Sequence, residues 1–171
     1  MRRLLVPLLV LLLVPAMAGA APASMNFTAH LTGAEEVPPR ATDATGQATF
    51  RLLNSGEVAF RLIVDDIENV VAAHIHCGDR GENGPVVQFL FGNAPPGGGP
   101  VEGVLSSGRF DPDGKTCTFD ETTITLLEAM RAGRTYVNVH TNDGDETPNE
   151  GPGDFPGGEI RGQIQPRGPG G

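Results

Sequence analysis

The stretch GQATFRLLNSGEVAFRLIV (46–64) decides the fold class of this 171-residue chain. In its first half, apolar residues such as Ala48 and Phe50 alternate with polar ones, which is the period of a strand with one buried face. The turn sequence NSG (54–56) follows, and a second run of strand character covers 57–64. Two such runs around a short turn predict an antiparallel β-hairpin.

Similar runs occur at short intervals along most of the chain. We predict further strands at 27–31, 72–77, 85–91, 104–110, 116–119, 136–141 and 159–164. Short strands separated by Gly, Pro and Asn turns are typical of an all-β domain, so we predict a Greek-key-type β-sandwich or flattened barrel. The segment TTITLLEAMRAG (122–133) has apolar residues at helical spacing and ends in a glycine. It predicts one short helix.

The N-terminal residues MRRLLVPLLVLLLVPAMAGA (1–20) predict a Sec-type signal peptide, with a basic pair, an apolar run at 4–14 and small residues before the cut. We expect cleavage after Ala20, with Ala18 as the alternative. The apolar run is shorter than the roughly twenty residues that a membrane-spanning helix needs. We therefore predict an exported protein, periplasmic or secreted, with a linker (21–26), one domain (27–165) and a disordered tail (166–171).

The charge of the chain narrows the classes of partner. The formal net charge is −9, and the predicted signal peptide carries two arginines and no acidic residue, so the remainder is −9 − 2 = −11. Such an acidic chain argues against nucleic acid and anionic membranes as partners. The acidic segment TNDGDETPNEG (141–151) lacks the spacing of an EF-hand calcium loop, and we predict a solvated loop there.

The chain has two cysteines, Cys77 and Cys117, which lie 40 positions apart. In an exported protein this number predicts one disulfide bond. Two free buried thiols, or Cys77 as a metal ligand, are the alternatives.

Two of the four histidines lie in AAHIHCG (72–78). Residues two apart on a strand face the same way, so His74 and His76 project together, away from an apolar face. In YVNVHT (136–141), His140 falls on the polar face of a second strand. If the two strands are neighbours, three imidazoles form a site for copper or zinc. If they are not, these histidines are hydrogen-bonding or surface residues, which is also our interpretation of His30.

Four segments, in order, resemble the CHRD domain, a module widespread in exported bacterial proteins. They are FTAHLTGAEEVPPRATDATGQATFRL (27–52), AAHIHCGDRGENGPVVQFLF (72–91), AGRTYVNVHT (132–141) and PGGEIRGQI (156–164). The resemblance implies no established activity for bacterial members. The long segment NDGDETPNEGPGDF (142–155) departs from it.

The strand with His-x-His and the later GRTYVNVH (133–140) are also distantly similar to copper/zinc superoxide dismutase. In that family these motifs supply three of the four copper ligands, so the similarity implies His74, His76 and His140 as ligands and Arg161 beside the metal. The bridging histidine and the other zinc-binding histidines of that family have no counterpart. The similarity therefore supports a β fold of that type more than the reaction.

Three functional hypotheses follow from these observations. The first is an exported, non-catalytic module that binds a protein or a cell-envelope component such as a polysaccharide. The alternative is a copper- or zinc-binding protein that uses the three histidines, whose affinity would be lost near the ordinary imidazole pKa of about 6.5. The third is an enzyme with dismutase-like redox chemistry, and we lean against it because of the missing histidines.

Overall fold

The computed structural model describes residues 25–145 and 151–168. The predicted signal peptide and all but the last two linker residues lie outside the described residues. The strands and the helix of the described chain are β1 (Asn26–Thr32), β2 (Thr45–Leu52), β3 (Val58–Glu68), β4 (Val70–Cys77), β5 (Val86–Phe91), β6 (Pro100–Phe110), β7 (Thr116–Phe119), β8 (Thr122–Thr125), α1 (Leu126–Arg131), β9 (Thr135–Thr141), β10 (Ile160–Gln163) and β11 (Gln165–Arg167).

The main sheet is antiparallel, with the strand order β5-β4-β9-β10-β1-β2-β3-β6, and β11 pairs with β1 beside β10. The hairpin predicted from 46–64 is β2 and β3, in which Phe50 lies opposite Phe60. The two end strands approach each other, and the Ser106 hydroxyl of β6 donates a hydrogen bond to the Leu90 carbonyl of β5 at 2.7 Å. The sheet is therefore a nearly closed eight-strand barrel, which confirms the all-β prediction in its flattened-barrel form.

The barrel interior is filled by the apolar side of each alternating strand. Ala48 and Phe50 of β2 are buried, as are Ala73, Ile75 and Cys77 of β4. The inner face predicted for AAHIHCG is therefore correct, and the histidines lie on the outer face. Helix α1 adds Leu126, Ala129 and Met130 to the same core.

The helix is shorter than the sequence predicts. The first residues of the predicted segment form β8, because a run of β-branched residues there pairs with β7 instead of continuing a helix. The helix begins after Thr125, whose hydroxyl and the Glu128 carboxylate form a reciprocal capping box. It ends before Gly133, which adopts a left-handed φ of 67°, as the sequence predicts.

Both ends of the predicted domain also differ in detail. β1 begins at Asn26, which we predicted to be linker, and β6 begins at Pro100 rather than Val104. Pro166 and Arg167, predicted to start the disordered tail, lie opposite Phe27 and Asn26 in the β11–β1 pairing. These two residues therefore extend the sheet.

Cys77 and Cys117 form the predicted disulfide, which joins the end of β4 to β7. Neither cysteine is free, so the two alternatives drawn from the sequence were wrong. The bond ties the β7–β8 hairpin, which is outside the main sheet, to the strand that carries two of the histidines.

Replacing both cysteines by alanine is expected to lower the free energy of unfolding by about 4 kcal/mol, because the unfolded chain regains the entropy of an open 40-residue loop. Urea unfolding of wild type and of the Cys77→Ala/Cys117→Ala variant measures the difference. Dithiothreitol should destabilise wild type and leave the variant unchanged. A loss below about 1 kcal/mol would contradict the expectation.

Candidate metal centre

The strands that carry the three histidines are neighbours. In the β4–β9 pairing, His74 lies opposite Asn138, His76 opposite Tyr136 and Ala72 opposite His140. All three imidazoles project from the outer face of the barrel, and one ring nitrogen of each lies within 4.8 Å of the others. The structure therefore brings together the set that the metal hypothesis requires. His30 lies on β1 and is not part of the cluster.

Backbone carbonyls determine which nitrogen of two histidines carries the proton. The Nδ1 atom of His76 is 2.9 Å from the Gly84 carbonyl oxygen, and that of His140 is 2.9 Å from the Pro156 carbonyl oxygen. A carbonyl only accepts hydrogen bonds, so both Nδ1 atoms donate, and each neutral ring keeps its lone pair on Nε2. The same arrangement orients histidine ligands in metal sites.

The third histidine contacts one of these lone pairs. His74 Nδ1 lies 3.2 Å from His140 Nε2, and without a metal His74 donates a hydrogen bond there. Two nitrogens bound to one tetrahedral ion at about 2.0–2.1 Å each lie about 3.3 Å apart, so this pair has the separation of two ligands. Binding through His74 Nδ1 requires its proton to move to Nε2, which is buried and has no hydrogen-bond partner within the described residues. The Nε2 atom of His76 is buried and has no hydrogen-bond partner.

The surroundings keep the three rings uncharged at neutral pH. Burial, and after it the neighbouring His140 and His76, lower the pKa of His74 from 6.5 to about 4. Burial also lowers the pKa of His76 and of His140, against the opposing effect of their hydrogen bonds to carbonyls. Metals bind the unprotonated ring, so the cluster is already in the binding form.

Arg161, which the similarity to superoxide dismutase implied beside the metal, lies against the ring of Tyr136 next to the cluster. It is 1% exposed and lies over the ring of Tyr136, with its guanidinium carbon 3.4 Å from the ring centre. The other ring in this stack is His76, whose plane is within 11° of that of Tyr136 at 4.9 Å. Arg161 also donates to the Asp79 carbonyl at 3.0 Å and to the Asn83 side chain at 3.3 Å. It therefore supports His76 through Tyr136 and does not face solvent.

A buried glutamate beside the cluster was missed entirely by sequence reasoning. Glu36 follows the 3₁₀ turn Gly33–Glu35, is 4% exposed, and has one carboxyl oxygen without a hydrogen-bond partner. Asn138 Oδ1, also buried, has none either. Both groups crowd Gly158, where a Cβ would overlap them. The interaction of the Asn138 side chain with the Glu36 carboxyl group favours its charged form and so opposes the effect of burial.

Burial nevertheless outweighs the interactions that favour the charged form of Glu36. Burial raises its pKa from 4.5 to about 7, although the positive charge of Arg161 opposes the shift. No sequence signal distinguishes Glu36 from Glu35, because the two are adjacent in GAEEVPP (33–39). Glu35 pairs with Arg80 at the surface, whereas Glu36 turns inward.

Together these features define a small antiparallel β-barrel domain with an imidazole cluster on its outer face. The family model of the CHRD domain matches residues 27–148, and the chain belongs to the CHRD domain family. No curated protein and no solved structure matches the chain. The match ends before β10, so the domain end at 165 stays a prediction. The similarity to superoxide dismutase also stays a prediction, because no solved structure matches. No helix in 25–145 or 151–168 is long and apolar enough to cross a membrane.

In metal-free protein, we expect His74 to titrate near pH 4 rather than 6.5, because burial disfavours the charged ring. Between these values the unfolded chain binds more protons than the folded chain. The contribution of His74 to the free energy of unfolding should therefore decrease as pH falls from 6.5 towards 4. NMR titration of the His74 imidazole, assigned with a His74→Gln variant, measures the midpoint. A midpoint near 6.5 would contradict the burial of this ring.

The contribution of Glu36 to stability is expected to depend on pH in the direction opposite to that of His74, and Glu36→Gln removes this contribution. The folded carboxyl binds its proton more tightly than the unfolded one, so the stability of wild type decreases as pH rises from 4.5 through 7. Relative to wild type, the variant should gain about 2–3 kcal/mol between pH 5 and pH 8. Urea unfolding at both values tests this, with Glu35→Gln as the matched control. An equal gain in both variants would show that the effect is general charge reduction.

Proposed function

We propose that this CHRD-domain protein binds one copper or zinc ion through His74, His76 and His140. The observation that carries the proposal is that one ring nitrogen of each histidine lies within 4.8 Å of the others, while backbone carbonyls hold two of the rings by their Nδ1 atoms. Such an arrangement is a preformed set of neutral imidazole ligands. Folding has already oriented the rings, so little further ordering is needed when the ion binds.

The ligand chemistry favours copper or zinc over harder cations. Imidazole nitrogen suits both metals, whereas magnesium and calcium prefer oxygen ligands. Three protein ligands leave one position of a tetrahedral site for a fourth group. The disulfide is compatible with export, so we propose a role in metal storage, delivery or sensing outside the cytoplasm. A protein or cell-envelope partner stays a prediction.

Binding is better supported than dismutase-like turnover. Arg161 is enclosed between the Tyr136 ring and the loop that contains Asp79 and Asn83, so its charge is not presented to an approaching anion. No histidine occurs between Cys77 and Phe91 to bridge to a second metal. We therefore propose a non-catalytic metal-binding module.

The test is metal analysis and titration of the chain purified without a histidine tag. Wild type is expected to bind one equivalent of Cu(II) or Zn(II). His76→Ala should weaken binding by ~100-fold or more, since loss of an outer-shell partner alone typically costs 10–100-fold. Binding should also persist below pH 6.5, contrary to the sequence-based expectation, because burial lowers the pKa of all three ligands.

His30→Ala is the matched control, because His30 is an exposed histidine on β1 outside the cluster. It should leave stoichiometry and affinity unchanged. Equal losses in the His30 and His76 variants, or less than one equivalent bound by wild type, would overturn the proposed function.

A further inference from the structure

A second surface, on β11, β1, β2, β3 and β6, carries positive charge at one end. Four arginines project from its outer face: Arg51, Arg61, Arg109 and Arg167. The strand pairings place Arg167 beside Asn26, Asn26 beside Arg51, Arg51 beside Ala59, and Ala59 beside Arg109. Three of the arginines therefore form a row on alternate strands, about 10 Å apart, because neighbouring strands are about 4.8 Å apart.

Little negative charge balances this row. All four arginines are exposed, and within the described residues only Arg109 has a carboxylate within 4 Å, that of Glu57 at 3.9 Å. The strand residues between them are uncharged, among them Thr49 and Ala59. The other end of the same strands carries Asp65, Asp66, Glu68 and Glu102, so the positive charge is confined to the end with the arginines, on a chain whose net charge is −9.

Two arginines of the row, together with Arg61 but without Arg109, line a concave surface. Arg51, Arg61 and Arg167 line a groove of about 510 Å³, together with Asn26, Thr49 and Ala59. The guanidinium group binds carboxylate, sulfate and phosphate with two parallel hydrogen bonds. The groove thus offers three oxyanion-binding groups, and no acidic residue is among the described residues that line it.

We infer that this groove binds a linear anionic polysaccharide, with Arg51, Arg61 and Arg167 contacting successive acidic groups. The spacing of about 10 Å between Arg167 and Arg51, which lie on alternate strands, fits a polymer that carries one charge per one or two sugar units. The inference is independent of the metal proposal, because none of the three histidines lines this groove.

Nucleic acid and membranes fit this surface less well. Double-stranded DNA carries one charge per about 1.7 Å, far denser than the arginine row. A membrane-binding surface also inserts apolar side chains. The large exposed apolar residues of the described chain are Val86, Phe89 and Val104, and none of them lines the groove.

The experiment measures binding of the full chain to heparin and to polygalacturonate, with neutral dextran as the blank, in EDTA so that no metal contributes. Wild type should bind at least one of the two polyanions and not dextran. The Arg51→Gln/Arg61→Gln/Arg167→Gln variant should lose ~10-fold or more in affinity. Its slope of log K against log salt should be smaller by about two to three, roughly one for each lost contact.

The matched control is Arg80→Gln/Lys115→Gln/Arg131→Gln, which removes the same charge outside the groove. It should change affinity less than ~2-fold, the residual effect of net charge. Equal losses in the two variants, or no polyanion binding by wild type, would overturn the inference. Equally tight binding of duplex DNA or anionic phosphatidylglycerol vesicles through the same arginines would also overturn it, in favour of those ligands.

Discussion

The antiparallel pairing of β4 with β9 is the constraint on which the rest of the site depends. It places His76 beside Tyr136 and His74 beside Asn138, and it brings His140 within hydrogen-bond distance of His74. A register slip of one residue would turn the histidines inward and their apolar neighbours outward. The buried Ala73 and Ile75 therefore hold the register, and the imidazole cluster is a consequence of core packing on the other side of the sheet.

The outer face over this pair is also covered, unlike an ordinary solvated sheet face. The loop that follows the disulfide brings the Gly84 carbonyl to His76, and the segment before β10 brings the Pro156 carbonyl to His140. This second polar layer dehydrates the imidazoles and keeps them neutral. The same layer encloses Arg161 and Glu36. Both side chains are therefore buried, although their charge alone would predict a position at the surface.

Local patterns predicted most of the fold because they report the environment of each side chain directly. The alternation in β2, β3 and β4 identified both the strands and their buried faces, and the cysteine count predicted the disulfide. The helix was overestimated because TTIT (122–125) has a competing pairing partner in β7, a tertiary contact that helical spacing cannot reveal. The tail was misjudged at Pro166 for the same reason, since its composition says nothing about the free edge of β1.

By itself, the sequence determined which residues face inward, that His74 and His76 share a surface, and that His140 lies on the polar side of its own strand. Tertiary structure alone decided that the three histidines share one surface. Alternation along a strand specifies which face a residue occupies, but it does not specify which strand lies next to it. His74 and His140 are 66 positions apart in the sequence, and the strand order of the whole barrel brings them together. The burial of Glu36 and the alignment of Arg51, Arg109 and Arg167 arise in the same way: pairings between distant segments create environments that no local segment encodes.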